Sequence, residues 1–491
     1  MSDTDRTQPP EQQPDGPRIG VDEWVARADE RTGVRGGRLA PLFARAERIP
    51  WWAILAGAVA ITALVPFLSS SDYVVRVAVN TVLFALLALG LNVVVGWTGL
   101  LDLGFIAFYG FGAYAYALMS SEQFGVHWPT VLSVPIVIVS SALLGLLLGL
   151  PSRRLMGDYL AIVTLFFAQI FVVMTTNADR ITLPWNKGPT DFTGGPNGIT
   201  DVDPMSIFGY EFDSIRSYLW LSLGVFTVVV VALRFINDSR TGRAWRALRE
   251  DALAAEVMTV PVNRLKLLAF MFGAATAGLT GTLFAAVQLN VFPQNFELPL
   301  LITVYAMVIL GGAGSIPGVV IGAIVINVSL ELLRDPENAR ILFYVAIGLG
   351  MLALIRPWLR LAAVCAGTIL FGIVAYQLVE WLRPAWVSGS IEGGWGAGLL
   401  DGWVIHPVDG THLGNVGFVL LIAAVITLSE LRGIWRMILL VPTLYLAAFV
   451  WEARLVTEPS VTRILLLGAL LIVLMSWRPQ GLLGTARVEI V

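Results

Sequence analysis

The residue types that carry out covalent or metal chemistry are scarce in this chain. One cysteine, Cys365, and three histidines, His127, His406 and His412, are spread over 491 residues. A single cysteine cannot build a disulfide framework or a cysteine metal cluster, and the scattered histidines form no recognisable nucleophile–base arrangement. The phosphate-binding pattern G-x-x-x-x-G-K-[ST] is absent, so ATP would have to be bound by another polypeptide. We therefore expect no enzymatic activity, no metal and no cofactor.

Polar side chains inside apolar stretches are the other candidates for function. A charge at the centre of a bilayer costs at least ~2.5 kcal/mol, so polar groups retained there mark pathways or relays. Two carboxylates, Asp102 and Asp158, fall at the ends of apolar runs and are interpreted as helix caps rather than ion sites. The scarcity of central carboxylates argues against proton or sodium coupling. The residues that we predict to line a pathway are Asn92, Tyr109, Tyr114 and Thr164.

These side chains must be positioned by membrane-spanning helices. Apolar residues make up 56% of the chain and charged residues 14%, whereas soluble proteins carry about 25% charged residues. The surplus apolar surface must therefore face membrane lipid. A net charge of −3 also argues against a nucleic-acid partner, which would require a basic face.

The apolar runs predict an all-α integral membrane protein, because backbone amides in lipid must be hydrogen-bonded within a helix or a closed barrel. We expect a polytopic helical bundle of about ten core spans, plus about four extra spans in a C-terminal insertion. The candidate spans are 51–68, 73–96, 103–119, 128–150, 157–177, 216–236, 267–290, 296–311, 317–334, 340–356, 359–381, 416–430, 436–451 and 460–476.

The domain organisation is predicted from composition and from two segments of similar sequence. Residues 1–48 are polar and are expected to form a largely disordered tail, followed by a core over 49–356. Residues 340–357 and 463–479 both open with Arg-Ile-Leu and close with Arg-Pro, by duplication or by chance. We interpret 357–459 as an insertion, followed by a terminal span and tail over 460–491.

The positions of the arginines predict the orientation. Arg and Lys collect in short cytoplasmic loops. With the N-terminus inside, every basic cluster falls on the cytoplasmic side, including the long loop 237–266, and the C-terminus is also inside. The loops 178–215 and 382–415, which are poor in positive charge for their length, fall outside.

The loop 237–266 is the most informative segment. Its spacing puts Trp245 and Leu248 on one helical face, with Arg249 and its charged neighbours toward water. Asp251 is a suitable N-cap for a short helix that Pro261 ends. The pattern fits either a docking knob for a soluble partner or a helix that lies on lipid headgroups.

Glycines spaced by four residues form two ridges, at Gly273, Ala277 and Gly281 and at Gly318 and Gly322. Such ridges allow helix backbones to approach closely in lipid. We expect them to serve helix packing.

Several segments resemble the permeases of branched-chain amino acid ABC importers, specifically the LivM type. In order and spacing the resemblance covers about 73–356 and 460–484. The segments that carry it are 91–114 (LNVVVGWTGLLDLGFIAFYGFGAY), 157–165 (GDYLAIVTL), 193–199 (TGGPNGI), 242–251 (GRAWRALRED), 264–270 (RLKLLAF), 311–318 (GGAGSIPG) and 478–483 (RPQGLL).

This resemblance implies a bacterial inner-membrane permease that works with a second, related permease, two cytoplasmic ATPases and an extracytoplasmic solute-binding protein. It favours the docking interpretation, since the loop corresponds to the helix that couples such permeases to an ATPase. The coupling residues that it implies are Trp245, Leu248, Arg249, Glu250, Asp251, Ala254, Ala255 and Met258.

Two departures from the family pattern stand out. The family usually has glycine after the methionine of the coupling segment, where this chain has Thr259. The insertion 357–459 adds about four spans to the roughly ten that are usual in the family. Alternatives to branched-chain amino acid import are a permease for urea or short amides, an ion-coupled transporter acting alone, and a scaffold or channel without energy coupling.

Overall fold

The computed structural model describes residues 51–152, 157–182, 189–355, 358–389, 397–407, 411–431, 433–455, 465, 468, 472 and 481–483. The predicted tail 1–48 lies outside this range, and so does most of the predicted span 460–476. The chain divides into two compact units, 1–64 with 485–491 and 65–484. The contacts described below lie within the second unit.

Helices dominate the described chain, as the apolar runs predict. They are α1 (Trp51–Leu68), α2 (Asp72–Leu91), α3 (Phe105–Met119), α4 (Thr130–Ser152), α5 (Asp158–Asn177), α6 (Ile215–Asp238), α7 (Arg240–Glu250), α8 (Ala252–Val257), α9 (Val262–Gln288), α10 (Leu298–Gly311), α11 (Ile316–Leu332), α12 (Pro336–Leu354), α13 (Trp358–Leu382), α14 (Ala397–Leu400), α15 (Thr411–Glu430) and α16 (Ile434–Val450). α2 continues into a π-helical turn, Asn92–Trp97, and a second π-helical turn, Trp451–Leu455, follows α16.

Strands occur only as three short antiparallel hairpins in the loops of the described chain. They pair β1 (Ser120–Ser121) with β2 (Val126–His127), β3 (Ile181–Thr182) with β4 (Pro189–Thr190), and β5 (Ser206–Ile207) with β6 (Tyr210–Glu211).

Ten described helices are long and apolar enough to cross a membrane, which confirms a multi-pass membrane protein. Three predicted spans, 103–119, 317–334 and 340–356, differ from the expectation. α3 has 15 residues and covers only about 22 Å of a hydrocarbon layer about 30 Å thick. α11 and α12 are joined at a break where the helix axis turns by 120°.

α9 is the central helix of the core and packs against α2, α3 and α4. Its small residues allow this: a Cβ on Gly281 would lie 2.1 Å from the Tyr109 carbonyl oxygen of α3. The second ridge brings α10 and α11 together, since a Cβ on Gly322 would lie 2.1 Å from the Met307 carbonyl oxygen. Both ridges therefore serve close helix packing, as predicted.

The described part of the predicted insertion is a group of helices in which α16 packs against α13 and α15. The π-helical turn that follows α16 contacts α12 of the core. The Arg340 Nε donates to both carboxylate oxygens of Glu452, at 3.1 and 3.2 Å, and Trp451 stacks on Phe343 with ring centroids 4.2 Å apart. The side chains of Arg340 and Glu452 are 5% and 1% exposed, so the insertion is joined to the core by a buried ion pair.

Candidate functional site

The long loop after α6 folds into two short helices that meet at Asp251. Ser239 caps α7 and accepts from the Gly242 amide at 3.4 Å. Asp251 ends α7 and caps α8, since its carboxylate accepts from the Leu253 and Ala254 amides at 2.8 and 3.0 Å. The predicted cap is therefore present, and it fixes the angle between α7, the elbow helix, and α8.

α8 presents an apolar tip. The exposed fractions of Leu253, Val257 and Met258 are 73%, 77% and 74%, and Ala254 is exposed beside them, whereas Ala255 is buried against the protein. We call α8 together with Met258 the knob. Glu250 and Glu256 are exposed at its rim. Exposed apolar clusters rimmed by polar residues mark interaction sites.

The turn that follows the knob is strained. Thr259 has φ of +64°, a left-handed conformation that is a genuine outlier for a β-branched residue. This is the position at which the family pattern has glycine.

Trp245 anchors the elbow helix to the bundle. Its side chain is fully buried, and its indole Nε1 donates to the Leu265 carbonyl at 2.9 Å. The ring stacks on Trp97 at a centroid distance of 5.9 Å and meets Phe272 edge-on. Leu248 is buried on the same face, so the predicted inward face of α7 is confirmed.

Arg249 does not point toward water as its spacing predicts. It is half-buried, and its guanidinium Nη1 donates to the Ala313 carbonyl at 3.4 Å. Its side chain also lies against Gly99, since a Cβ there would be 3.3 Å from the Arg249 Cγ. Helical periodicity could not reveal this, because the chain segments that cover Arg249 are distant in sequence.

Residues 312–315, here called the glycine turn, join α10 to α11 and receive two more bonds from the end of α2. The Asn92 side-chain oxygen accepts from the Gly314 amide at 2.7 Å, and the Trp97 Nε1 donates to the Gly314 carbonyl at 3.1 Å. Leu482 and Leu483 also dock here, donating to the Leu310 and Gly311 carbonyls at 2.8 and 3.0 Å.

Of the predicted pathway residues, Asn92 and Thr164 bond to backbone near this end of the bundle. The Thr164 hydroxyl accepts from the Leu103 amide at 2.9 Å. In the same segment Asp102 accepts from the Gly104 amide at 2.9 Å, as a cap would, and the Tyr305 hydroxyl donates to the Asp102 carbonyl at 2.7 Å.

Tyr109 and Tyr114 lie in an aromatic cluster deeper in the bundle. The Tyr109 ring is 5.4 Å from both Phe284 and Phe296, and the Tyr114 ring is 6.0 Å from Phe296. Tyr109 also lines a cavity of about 170 Å³, close to the roughly 150 Å³ that accommodates benzene in an engineered protein. The cavity is lined by Asn80, Leu83, Phe84, Leu87, Tyr109, Phe284, Gln288, Asn295 and Leu300.

The lining combines three carboxamides with an apolar wall and contains no charged side chain. Sequence reasoning did not predict Gln288, Asn295 or Phe284 as pathway residues. They lie on α9 and just before α10, and nothing in their local pattern indicates that these segments face α2.

At the opposite end of the bundle, the loops between spans carry the hairpins. Here His127 bonds to Asp203, and this hydrogen bond raises the pKa of the imidazole. The Phe208 side chain at the tip of the β5–β6 hairpin is 96% exposed.

Comparisons with known proteins agree on one family. Its model, described as the permease component of the branched-chain amino acid transport system, matches residues 73–355. The high-affinity branched-chain amino acid permease protein LivM of Escherichia coli K12 is 38% identical over 327 residues, which cover 60% of this chain and 73% of the relative.

Two further relatives carry similar names. The permease protein LivH of Salmonella typhimurium is 29% identical over 181 residues, covering 37% of this chain and 55% of the relative. The permease protein BraD of Pseudomonas aeruginosa is 26% identical over 289 residues, which cover 56% of this chain and 90% of the relative. No solved structure matches the chain.

Proposed function

Because this chain belongs to the branched-chain amino acid transport permease family, we propose that it forms the translocation pathway of an ABC importer driven by ATP hydrolysis on partner subunits. The partners are a second, homologous permease, two cytoplasmic ATPases and an extracytoplasmic solute-binding protein. The chain itself binds no ATP and no cofactor. Its place is the bacterial inner membrane, with both termini and the knob in the cytoplasm.

The exposed knob is the observation that carries this proposal. A capped helix with Leu253, Val257 and Met258 each more than 70% exposed would be unfavourable in water unless a partner covered it. The knob itself carries one acidic residue, Glu256, and no Lys or Arg, whereas a helix that binds anionic lipid headgroups carries Lys and Arg on its polar face. A soluble ATPase fits better than the lipid surface.

The cavity supports the substrate assignment. Its wall of Leu, Phe and Tyr side chains suits the aliphatic side chain of a branched-chain amino acid. The three carboxamides, Asn80, Gln288 and Asn295, can hydrogen-bond to its ammonium and carboxylate groups. The same carboxamides would also suit urea or a short amide, which remains the second candidate substrate.

The test is capture of the complex from detergent-solubilised membranes through a tag on this chain, with mass spectrometry of what binds. We expect two ATPases and a second permease, and we expect Leu253→Glu with Val257→Glu to lower the recovered ATPase about tenfold or more. Phe208→Glu, the same change at an exposed apolar residue of the opposite end, is the matched control.

Uptake by the captured complex in liposomes, with the solute-binding protein supplied on the extracytoplasmic side, separates the alternatives. ATP-dependent uptake of leucine that excess urea does not inhibit supports the assignment, and inhibition by urea favours the amide permease. Recovery of the chain alone, with uptake driven by an ion gradient, would establish a secondary transporter instead.

A further inference from the structure

The knob and the cavity are far apart in the bundle, and α8 contributes no residue to the cavity lining. A displacement of the knob must therefore reach the cavity through other elements. The cavity is lined by α2, through Asn80, Leu83, Phe84 and Leu87, by α9, through Phe284 and Gln288, and by Leu300 of α10. Of these, α2 and α10 end in the contacts that surround the elbow helix.

These contacts leave no free space. A Cβ on Gly96, in the π-helical turn that ends α2, would lie 1.9 Å from the Asn92 side-chain oxygen and 2.5 Å from the Gly314 amide nitrogen. Gly314 has φ of +95°, and a Cβ there would lie 2.5 Å from the Arg249 Nη1. Close-packed elements transmit displacement instead of absorbing it.

Hydrogen bonds tie the same three segments together. Arg249 of α7 bonds to Ala313 of the glycine turn. Asn92 and Trp97, at the two ends of the π-helical turn, bond to the amide and the carbonyl of Gly314. Because Trp97 also stacks on Trp245 of α7, each segment contacts both of the others.

We infer that α7, the π-helical turn Asn92–Trp97 and the glycine turn move as one rigid body, the elbow block, which transmits displacement of the knob to α2 and α10. Arg249, Trp97 and Asn92 are its positioning residues, because they hold the three segments in register without contacting the solute. π-helical turns concentrate at functional sites, and this one lies where the block joins α2. The inference rests on the proposed function, since it requires an ATPase that moves the knob.

A reversible cross-link tests whether the block is rigid. A Cβ on Gly99, two residues beyond the π-helical turn, would lie 3.8 Å from the Cβ of Arg249, which is about the mean separation in a disulfide. The variant is Gly99→Cys with Arg249→Cys, made with Cys365→Ser because Cys365 is an exposed free thiol. The readout is leucine taken up per ATP hydrolysed by the captured complex in liposomes.

With the pair reduced, the Arg249 link is lost, and we expect leucine uptake per ATP to fall about tenfold, as for loss of one charge-assisted hydrogen bond. On oxidation the disulfide ties α7 to the chain just beyond the π-helical turn, and that turn is still bonded to the glycine turn through Asn92 and Trp97. Uptake per ATP should therefore return to within about twofold of the parent. If oxidation lowers uptake further, the two segments move relative to each other and the inference is overturned. Wild-type uptake in the reduced state would overturn it equally.

Trp97→Phe is a second variant that does not depend on a cysteine at the positive φ of Gly99. It keeps an aromatic ring against Trp245 but removes the donor to the Gly314 carbonyl. We expect uptake per ATP to fall about threefold to tenfold, with Trp220→Phe, a half-exposed tryptophan on α6, as the control; uptake per ATP equal to that of the control would contradict the inference. Failure of the proposed function gives a different result, because uptake would then be independent of ATP in every variant.

Discussion

The backbone conformation of Thr259 is set by the segments on either side of it. The knob ends at Met258, and the chain must reverse before α9 begins at Val262. That reversal needs a positive φ, which glycine adopts freely and threonine does not. The structure keeps the conformation at φ of +64°, so the packing of α8 between α7 and α9 must offset the strain.

Replacing Thr259 with glycine should therefore stabilise the protein. We expect Thr259→Gly to raise the free energy of unfolding by about 1 kcal/mol, measured as a higher Tm of the purified protein. Thr241→Gly, in the first turn of α7, is the matched control and should lower stability by about 0.3 kcal/mol. A lower Tm for both variants would show that Thr259 is not strained.

The surroundings of Arg249, by contrast, are set by a segment that is distant in sequence. Its position on the helix allows either water or protein to cover it, and the glycine turn decides the outcome through the bond to Ala313. The remaining residues implied as coupling positions are divided by the fold. Trp245, Leu248 and Ala255 face the bundle, whereas Glu250, Ala254 and Met258 face outward.

At the scale of elements, the glycine ridges set how close the helices lie. α9 packs most extensively against α2, α3 and α4, and its contact with α3 depends on the absence of a side chain at Gly281. A helix displaced here would also move Phe284 and Gln288, which line the cavity one and two turns further along α9.

Gly281→Ala should destabilise the bundle by about 1–3 kcal/mol, because the added methyl group would overlap the Tyr109 carbonyl. Gly224→Ala, on α6, is the control: no atom lies within 4 Å of its Cβ position, and alanine favours a helix by about 1 kcal/mol. Thermal unfolding of the two variants should shift in opposite directions. Equal shifts in Tm for the two variants would indicate that α3 and α9 can move apart without loss of stability.

At the scale of the whole molecule, the predicted insertion lies beyond the family match, which ends at residue 355. The described insertion is held to α12 by the Arg340–Glu452 pair, with the Tyr344 hydroxyl donating to the same carboxylate at 3.3 Å. A buried pair is costly to break, although the intact pair adds little to stability.

Glu452→Gln should lower the free energy of unfolding by about 3–5 kcal/mol, because it leaves Arg340 buried without its counter-charge. The double variant Arg340→Met with Glu452→Leu should recover most of this loss, since apolar side chains of similar volume can replace a buried pair. Both are measured by thermal unfolding in the same detergent. A double variant as unstable as Glu452→Gln would mean that the pair itself stabilises the junction.

Orientation in the membrane is also a property of the whole molecule. Asn197 and Arg246 are both exposed and lie at opposite ends of the predicted topology. In a Cys365→Ser background, Asn197→Cys should react with a membrane-impermeant thiol reagent in intact cells, and Arg246→Cys only after the cells are opened. The reverse pattern would invert the proposed topology.

The amino-acid sequence by itself determined the class of the protein and the local structure of its loop helices. Long apolar runs must be helices in lipid because their amides have no other partner, and Asp251 caps α8 through amides two and three residues away. These interactions are local or depend on the solvent, so composition and spacing predict them. The family resemblance likewise rests on short contiguous segments.

Only the tertiary structure decided which segments meet. The bonds from Asn92 and Trp97 to Gly314 span 222 and 217 residues, and the bond between Tyr305 and Asp102 spans 203. The Arg340–Glu452 pair spans 112 residues. Such contacts depend on how whole helices pack, and the local sequence around a residue does not predict a partner that is distant in the chain. The direction of Arg249, the elbow block, the cavity lining and the junction with the insertion all belong to this class.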